Sequence, residues 1–372
     1  MASGQQDLLS LCVIARDEAH NLPRLLASVT PWVGEIVVVD TGSVDDTVNV
    51  ATAWGARVVH RPWENSFSLA RNHSLETATR PWALVLDADE ELVVTDAKAF
   101  ADTLQGETQA LAVDCHDLRD DGSYAVAPLL RLFRRDNPHL RFEGAVHEQL
   151  VGVARGQIGV AHARFMHFRH DGHTATVLKE RNKDERNLTL ARAQVNDAAE
   201  DPFAWFCLGQ ALLTQPTTFR QEQAVVAFAQ AVARLGNSQE GEAFVVALFA
   251  SYAHSLVQLG RHDEALAALC AALATFPHSA DLRLLRGNLL ISVMQLAQAE
   301  EDLRICLSPA AEAFFVRLNP NACGYEARVA LGICLLKQGR VGEAKTMLQD
   351  AVNGAPANDS RARTLLEIVI RR

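Results

Sequence analysis

The sequence lacks any run of about 18 consecutive apolar residues, which is the length that a helix needs to cross a membrane. Residues 1–7 lack the basic stretch and following apolar stretch of a signal peptide, so none is expected. Basic charge is also scarce, since 35 Lys and Arg stand against 45 Asp and Glu, for a net charge of −10. This balance argues against a broad nucleic-acid surface, because phosphate contacts dominate that affinity. Any phosphate must therefore be held locally, by a metal ion or by single arginines.

Paired cysteines are absent as well. The seven cysteines are odd in number and include no C-x-x-C, so we expect reduced, mostly buried thiols rather than disulfides or a cysteine zinc site. This pattern predicts a soluble protein of the cytoplasm. The 372 residues are enough for two domains, and the content of 49% apolar and 22% charged residues is that of an ordinary globular protein.

Residues 1–90 alternate between apolar runs typical of strands and stretches with helical spacing. Strands are predicted at residues 8–15, 35–39, 56–59 and 82–86, and helices at residues 21–29, 45–54 and 66–79. This alternation predicts a parallel sheet covered on both faces. No G-x-G-x-x-G follows either of the first two strands, which argues against a dinucleotide-binding fold.

The fourth predicted strand ends in a burst of carboxylates, at Asp87, Asp89, Glu90 and Glu91. This places charge at the carboxyl end of a strand, where open α/β sheets bind their ligands. Asp87 and Asp89 are two residues apart, so both carboxylates leave one side of an extended segment and can share a hard cation. The motif therefore predicts a metal-bound diphosphate, with a solvated acidic loop as the alternative.

Three further polar clusters accompany the earlier strands. The first is Arg16, Asp17 and Glu18, for which helix capping by acidic residues is the alternative to ligand binding. The second begins at Asp40, which can accept a hydrogen bond from a base N–H or from ribose hydroxyls. The third contains Arg71, the cation that we expect to be aimed at a nucleotide, with a solvated helix arginine as the alternative.

Four segments, taken in order, resemble glycosyltransferase family 2: L-C-V-I-A-R-D-E-A-H-N-L, E-I-V-V-V-D-T-G-S-V-D-D-T, F-S-L-A-R-N-H-S-L-E-T-A and W-A-L-V-L-D-A-D-E-E-L. The resemblance is greatest to the branch of bacteriocin S-glycosyltransferases and lipopolysaccharide-core glucosyltransferases, and it covers residues 8–190. It implies a GT-A fold, a nucleotide-sugar donor, most simply a UDP-sugar, a Mg²⁺ or Mn²⁺ ion, and inversion at the anomeric carbon.

The resemblance also implies roles for single residues. Four residues are expected to bind the donor: Glu18, Asp40, Arg71 and Asp87. Asp89 matches the family's metal ligand, and His170 matches a histidine in the branch's H-x-G that completes the coordination. His162, His167, His170 and His173 form a cluster, but we expect no separate zinc centre, and His167 is predicted to pack under the site. Arg16 and Asp17 depart from the Lys and Asn usual there, which affects only fine donor contacts.

The segment F-E-G-A-V-H-E, residues 142–148, supplies the candidate base. An acceptor thiol, hydroxyl or amine that attacks the anomeric carbon needs a base opposite the leaving diphosphate. The transition state is expected to resemble an oxocarbenium ion. Glu148 is the first choice for this base and Glu143 the second, whereas His147 can orient the glutamate or contact phosphate. The alternative is that Glu148 only begins or caps a helix.

Residues 191–372 are alanine-rich and contain an internal repeat. Ala265 and Ala299 are 34 residues apart, which is the period of the tetratricopeptide repeat, and Ala344 follows after 45. Four helical pairs that cannot each bury an apolar face alone are expected to stack into one core. The predicted use is a concave surface for an acceptor peptide, protein or glycan, or a homodimer contact.

The sequence therefore predicts two domains, an α/β GT-A domain at residues 1–190 and an all-α tetratricopeptide-like domain at residues 191–372. The expected function is that of a metal-dependent inverting glycosyltransferase. One alternative is a sugar nucleotidyltransferase, which needs a Gly-rich basic loop where Arg16, Asp17 and Glu18 stand. The other is a catalytically silent repeat adaptor, against which Asp87, Asp89, Glu148 and His170 argue.

Overall fold

The computed structural model divides the chain into two units, Met1–Leu190 and Ala191–Arg372. The structure describes residues 6–118, 124–137, 140–146, 148–151, 160–170, 177–215, 217–236, 243–314, 318–319, 321–355 and 359–370. Within these residues, no helix is both long enough and apolar enough to cross a membrane.

The described residues of the N-terminal unit form ten strands: β1 (Leu9–Ala15), β2 (Glu35–Asp40), β3 (Arg57–His60), β4 (Trp82–Val85), β5 (Glu90–Val94), β6 (Ala110–Leu118), β7 (Tyr124–Arg134), β8 (Arg141–Glu143), β9 (Gln149–Val151) and β10 (Val160–His170). Its helices are α1 (Leu22–Val29), α2 (Thr47–Ala53), α3 (Phe67–Thr77), α4 (Ala97–Gln105) and α5 (Val177–Asp197), the last of which continues past Leu190. Each strand and helix predicted for residues 8–86 is present.

Eight strands form one sheet in the order β3-β2-β1-β4-β7-β6-β10-β5. The pairs β3/β2, β2/β1 and β1/β4 are parallel, as the alternation of strands and helices predicts. Beyond β4 the sheet is mixed, because β7 is antiparallel to both of its neighbours and β5 is antiparallel to β10. Strands β8 and β9 form a separate antiparallel pair. The predicted GT-A-like α/β architecture is thus confirmed, with a mixed rather than mainly parallel second half.

The central strands are covered on both faces. Leu11 and Val13 of β1 point into one core cluster together with Leu25 of α1. The residue between them, Cys12, points to the other face, where Leu75 of α3 packs against its cluster. Successive side chains of a strand alternate in this way, and burying a Leu or Val side chain contributes roughly 1.5–3 kcal/mol. This packing fixes the edge at which the polar residues after β1, β2 and β4 emerge.

The C-terminal unit is helical: α6 (Pro202–Leu213), α7 (Thr218–Ala233), α8 (Ala243–Gln258), α9 (His262–Thr275), α10 (Ala280–Ser292), α11 (Leu296–Cys306), α12 (Pro309–Glu312), α13 (Tyr325–Lys337), α14 (Val341–Asn353) and α15 (Arg361–Ile370). Four pairs of consecutive helices pack closely, namely α6/α7, α8/α9, α10/α11 and α13/α14. Ala265, Ala299 and Ala344 are fully buried, as the repeat predicts.

Candidate active site

Asp87 follows β4 and is held at three points. Its Oδ1 accepts a hydrogen bond from Arg71 Nη2 at 2.7 Å, and its Oδ2 accepts one from Arg131 Nη2 at 3.1 Å. Its backbone N–H donates to Glu90 Oε2 at 2.8 Å. Burial opposes ionisation of Asp87, but Arg71 and Arg131 outweigh it and hold the pKa of this carboxyl well below its usual range. Burial and the nearby Asp87 raise the pKa of Glu90 to about 7, although Arg131 acts against them.

Arg71 lies on α3 with only 6% of its side chain exposed, so it is not a solvated helix arginine. Besides Asp87, it pairs with Glu148 through Nε, and its guanidinium lies 5.6 Å from the centre of the Phe142 ring. Burial disfavours its charged form, but the two carboxylates reverse this effect and raise the pKa of Arg71. Its buried Nη1 has no hydrogen-bond partner among the described residues. A buried donor without a partner is costly, which makes Nη1 a candidate contact for a bound molecule.

Glu148 directly precedes β9, so the interpretation of this residue as a helix start is wrong. Its side chain is 11% exposed and is fixed by Arg71. The second candidate base, Glu143, ends β8 and is half-exposed, and it pairs with Arg141. His147 lies outside the described residues. Among the described residues, it is therefore Glu148, and not Glu143, that is bonded to Arg71.

Asn72, next to Arg71 on α3, ties the segment that carries Glu148 to the helix. Its amide Nδ2 donates to the Phe142 carbonyl at 2.9 Å, and its Oδ1 accepts from the Phe142 N–H at 2.8 Å. One turn earlier, the N–H of Phe67 donates to the carbonyl of Ala145 at 2.9 Å. These bonds to α3 explain how Glu148 reaches a residue distant in the sequence.

Asp89 and His170 are brought together as predicted. His170 ends β10, and its Nε2 lies 3.2 Å from Asp89 Oδ2, while its Nδ1 lies 3.1 Å from Asp117 Oδ1 on β6. The hydrogen bond to Asp89 is the largest of the effects that raise the pKa of His170 to about 9. A histidine that donates one N–H to a carboxylate and directs the other nitrogen at a metal is a common ligand arrangement.

The side chains of Asp89 and His170 fit a divalent cation that also binds a phosphate of the substrate. Within the described ranges, no group of three or more His, Cys, Asp and Glu side chains could hold a metal ion. Mg²⁺ is commonly bound through one or two carboxylates together with substrate phosphates and water. Asp89 and His170 are suited to such a partial site.

Asp40 ends β2 and is buried. Its Oδ1 accepts from the Ser43 N–H at 3.0 Å, and its Oδ2 lies 3.2 Å from His60 Nδ1. Burial opposes ionisation of Asp40, but the hydrogen bonds from Ser43 and His60 lower its pKa below the ordinary value. Among the described residues it thus bonds to the turn after β2 and to β3, rather than to Arg71 or Asp87.

The turns after β1 and β2 are bonded to each other. The N–H of Asp17 donates to Ser43 Oγ at 3.0 Å, and Asp17 Oδ1 accepts from the Val44 N–H at 2.8 Å. The N–H of Glu18 donates to Thr47 Oγ1 at 2.7 Å. The Glu18 carboxylate itself accepts from Nδ2 of Asn21, the residue directly before α1, at 2.7 Å. Binding of the donor by Glu18 stays a prediction.

Comparison with known families finds a match in each of the two units. Residues 10–162 match the sequence model of glycosyl transferase family 2, and residues 246–289 match that of a tetratricopeptide repeat. The match to glycosyl transferase family 2 falls within the N-terminal unit. The C-terminal unit carries a tetratricopeptide repeat, so the expected combination of these two domain types is confirmed.

Individual relatives match a little more than half of this chain. A TPR repeat-containing protein of Synechococcus elongatus is 36% identical over 218 residues, which are 56% of this chain and 53% of that protein. The SPbeta prophage-derived glycosyltransferase SunS of Bacillus subtilis is 25% identical over 205 residues, 54% of this chain and 48% of that protein. The chain therefore spans about half the length of these curated relatives. The crystal structure of YrrB, a TPR protein with an unusual peptide-binding site, is 18% identical, with a TM-score of 0.38, and covers 52% of this chain and 87% of that one.

Sequence reasoning gave no role of their own to four residues of the N-terminal unit that contact predicted site residues or hold the segment that carries one: Asn72, Glu90, Arg131 and Asp117. An arginine inside an apolar strand was the signal for Arg131, because such a residue needs a partner when buried. His167 stacks on His116, with ring centroids 4.3 Å apart, as expected for a strand residue. The side chain of His162 and the whole of His173 lie outside the part of the chain that the structure describes.

Proposed function

We propose that this chain is an inverting glycosyltransferase that moves a sugar from a nucleotide-diphosphate sugar, with a UDP-sugar as the first choice, to an acceptor. The observation that carries the proposal is the segment from Asp87 to Asp89 in a family 2 domain. Asp87 is bonded to Arg71, and Asp89 to His170, so the donor-binding cluster and the candidate metal ligands adjoin. We retain residues 1–190 and 191–372 as the limits of the two domains.

In this proposal, the donor is held by three side chains, which lie at the end of β2, on α3 and after β4. Asp40 accepts from the base or the ribose, Asp87 lies on the ribose or metal side, and Arg71 donates its unpartnered Nη1 to the donor. Asp89 and His170 hold the Mg²⁺ or Mn²⁺ ion, which when bound stabilises the charge of the departing diphosphate. These roles are consistent with the ionised state of Asp87 and with the burial of Arg71.

Glu148 is the proposed base. Its Oε1 is engaged by Arg71, so Oε2 is the atom assigned to receive the acceptor's proton. The incoming acceptor atom attacks the anomeric carbon from the face opposite the diphosphate, and the proton passes to Glu148. Arg71 then serves two purposes, because it orients the base and also contacts the donor.

The helical unit is proposed to bind the acceptor, with a peptide or protein as the first choice and a glycan as the second. Support comes from the tetratricopeptide repeat, since stacked repeats form extended binding surfaces. A homodimer contact is the other candidate use of this surface. A cytoplasmic location remains a prediction from the cysteine pattern.

A panel of UDP, GDP, TDP and CDP, tested by thermal shift and calorimetry with and without Mn²⁺, tests the proposal. One nucleotide should raise the melting temperature selectively and in a Mn²⁺-dependent way, because ligand binding stabilises the folded state. Asp89→Asn should abolish the dependence on Mn²⁺. Asp102→Asn, an exposed aspartate on α4, is the matched control and should bind as the wild type does. Absence of binding to every nucleotide would instead favour the repeat adaptor.

A further inference from the structure

Arg131 occupies a break in the pairing of β6 with β7. Leu132 pairs with Leu111, whereas Leu130 pairs with Ala112, which leaves Arg131 as an extra residue on β7. Such a β-bulge redirects a side chain and is over-represented next to active sites. The bulge therefore gives this arginine a direction that the simple alternation of the strand does not.

The redirected guanidinium of Arg131 reaches the acidic segment after β4. Its side chain is 11% exposed, and Nη2 contacts Asp87 Oδ2 at 3.1 Å and Glu90 Oε1 at 3.4 Å. Its Cζ lies 5.6 Å from the centre of the Phe168 ring. The other carboxylate oxygen of Asp87 is held by Arg71, at 2.7 Å. Two guanidiniums from different elements, α3 and β7, thus fix both oxygens of one carboxylate.

We propose that Arg131 is a positioning residue, which holds Asp87 in the orientation that binds the nucleotide-sugar donor. This inference rests on the proposed function, and it assigns Arg131 no contact with the donor itself. Arg131 acts on Asp87 directly, and through Glu90, which accepts the Asp87 N–H, it also fixes the backbone there.

Stability alone does not account for Arg131. Replacing a buried ion pair by well-packed apolar residues is often neutral or stabilising, so a fold selected only for stability has little use for this arginine. Its neighbours on the strand, Leu130 and Leu132, are apolar. Without Arg131, Asp87 Oδ2 and Glu90 Oε1 lose the guanidinium that contacts both of them.

Arg131→Met tests the inference, with Arg134→Met as the matched control. Arg134 lies on the same strand, with its guanidinium 4.9 Å from the Trp82 ring and its hydrogen bonds on the carbonyls of Gly106 and Thr108. It has a structural role, and among the described residues its hydrogen bonds do not reach the acidic segment. Binding of UDP with Mn²⁺, or of whichever of GDP, TDP and CDP the wild type binds, is measured by calorimetry beside the melting temperature.

Arg131→Met should bind the nucleotide about 10–100-fold more weakly, the usual effect of removing a residue that orients a ligand-binding side chain. Arg134→Met should bind as tightly as the wild type, even where its melting temperature falls. Arg131→Lys should recover part of the affinity because it restores the charge. The double variant Arg131→Met/Glu90→Gln should also recover part, because a neutral glutamine needs no cation beside it and can still accept the Asp87 N–H.

The outcomes separate the two proposals. If the wild type binds a nucleotide and Arg131→Met binds it equally tightly, the positioning role is overturned. The proposed function is then unaffected. Equal losses in Arg131→Met and Arg134→Met also overturn the positioning role, because they show a structural effect. If Arg131→Met does not fold, unchanged binding by Arg131→Lys and by the double variant decides against the role. A wild type that binds no nucleotide overturns the proposed function and this inference with it.

Discussion

Arg71 on α3 and Glu148 before β9 form an ion pair across 77 residues of sequence. The same guanidinium bonds to Asp87, so one buried arginine joins the candidate base to the candidate donor site. Donor binding and proton transfer are therefore coupled in the proposed reaction, because a displacement of Arg71 would move the carboxylates of both Asp87 and Glu148.

Glu148→Gln should lower kcat while donor binding is preserved. Glutamine keeps the shape of the side chain and can still accept a hydrogen bond from Arg71, but it cannot accept the acceptor's proton. General-base catalysis contributes about 10²–10⁴-fold, which sets the expected loss. Steady-state kinetics with separate donor titrations measure kcat and the donor affinity.

Glu143→Gln is the matched control for Glu148→Gln, because Glu143 pairs with Arg141 at the exposed end of β8. It should keep nearly full turnover. If Glu143→Gln loses turnover and Glu148→Gln does not, the base assignment passes to Glu143. If neither changes, the acceptor reacts without a carboxylate base from this segment.

Asp117→Asn should weaken Mn²⁺-dependent nucleotide binding. Asp117 holds Nδ1 of His170 at 3.1 Å and so fixes which ring nitrogen faces Asp89. Loss of such a partner commonly lowers metal affinity about 10–100-fold. Calorimetric titration of Mn²⁺ into the nucleotide complex measures the change, and an unchanged Mn²⁺ affinity would remove His170 from the metal site.

Asp17→Ala should destabilise the turn after β1. Asp17 has a φ of 58°, which is unfavourable for alanine, and its Oδ1 accepts the Val44 N–H at 2.8 Å. Strain and the lost hydrogen bond together should lower the free energy of unfolding by about 1–2 kcal/mol. Asp17→Asn keeps an acceptor and tolerates this φ, so its melting temperature should stay close to that of the wild type. Equal melting temperatures for all three proteins would show that the contact is dispensable.

Local patterns in the sequence were sufficient to place several candidate site residues at the ends of strands. Apolar runs ending in charge located Asp40 and Asp87, and parallel strands bring such ends to one edge of the sheet. The motif resemblance, rather than periodicity, supplied His170, which the structure places 3.2 Å from Asp89.

The rest depended on long-range pairing. A strand's alternation fails at a bulge, so the direction of Arg131 could not be predicted from its neighbours. Strand β5 was missed because Glu90 and Glu91 suggest a loop, whereas pairing with β10 makes the segment a strand. Asn72 is one polar residue on a helix, and only the position of β8 gives it a partner.

The helical unit offers a stability test in which two glycines of the pair α13/α14 are compared. A Cβ added at Gly332 would lie 2.8 Å from the Leu348 side chain, where α14 crosses α13, whereas one added at Gly342 meets nothing within 4 Å. Gly332→Ala should therefore lower the free energy of unfolding by about 1–3 kcal/mol, the usual effect of overpacking. Gly342→Ala should be neutral, or stabilising by up to about 1 kcal/mol, because alanine favours the helix.

Thermal and urea unfolding of both glycine variants measure the difference, and nucleotide binding by the glycosyltransferase domain is followed in the same samples. A destabilised Gly332→Ala that still binds nucleotide as the wild type does would show that the donor site does not depend on close packing of the repeats. Equal stability of the two variants would mean that the helices of the pair separate readily enough to admit a methyl group. Gly332 would then not be needed for the close approach of α13 and α14.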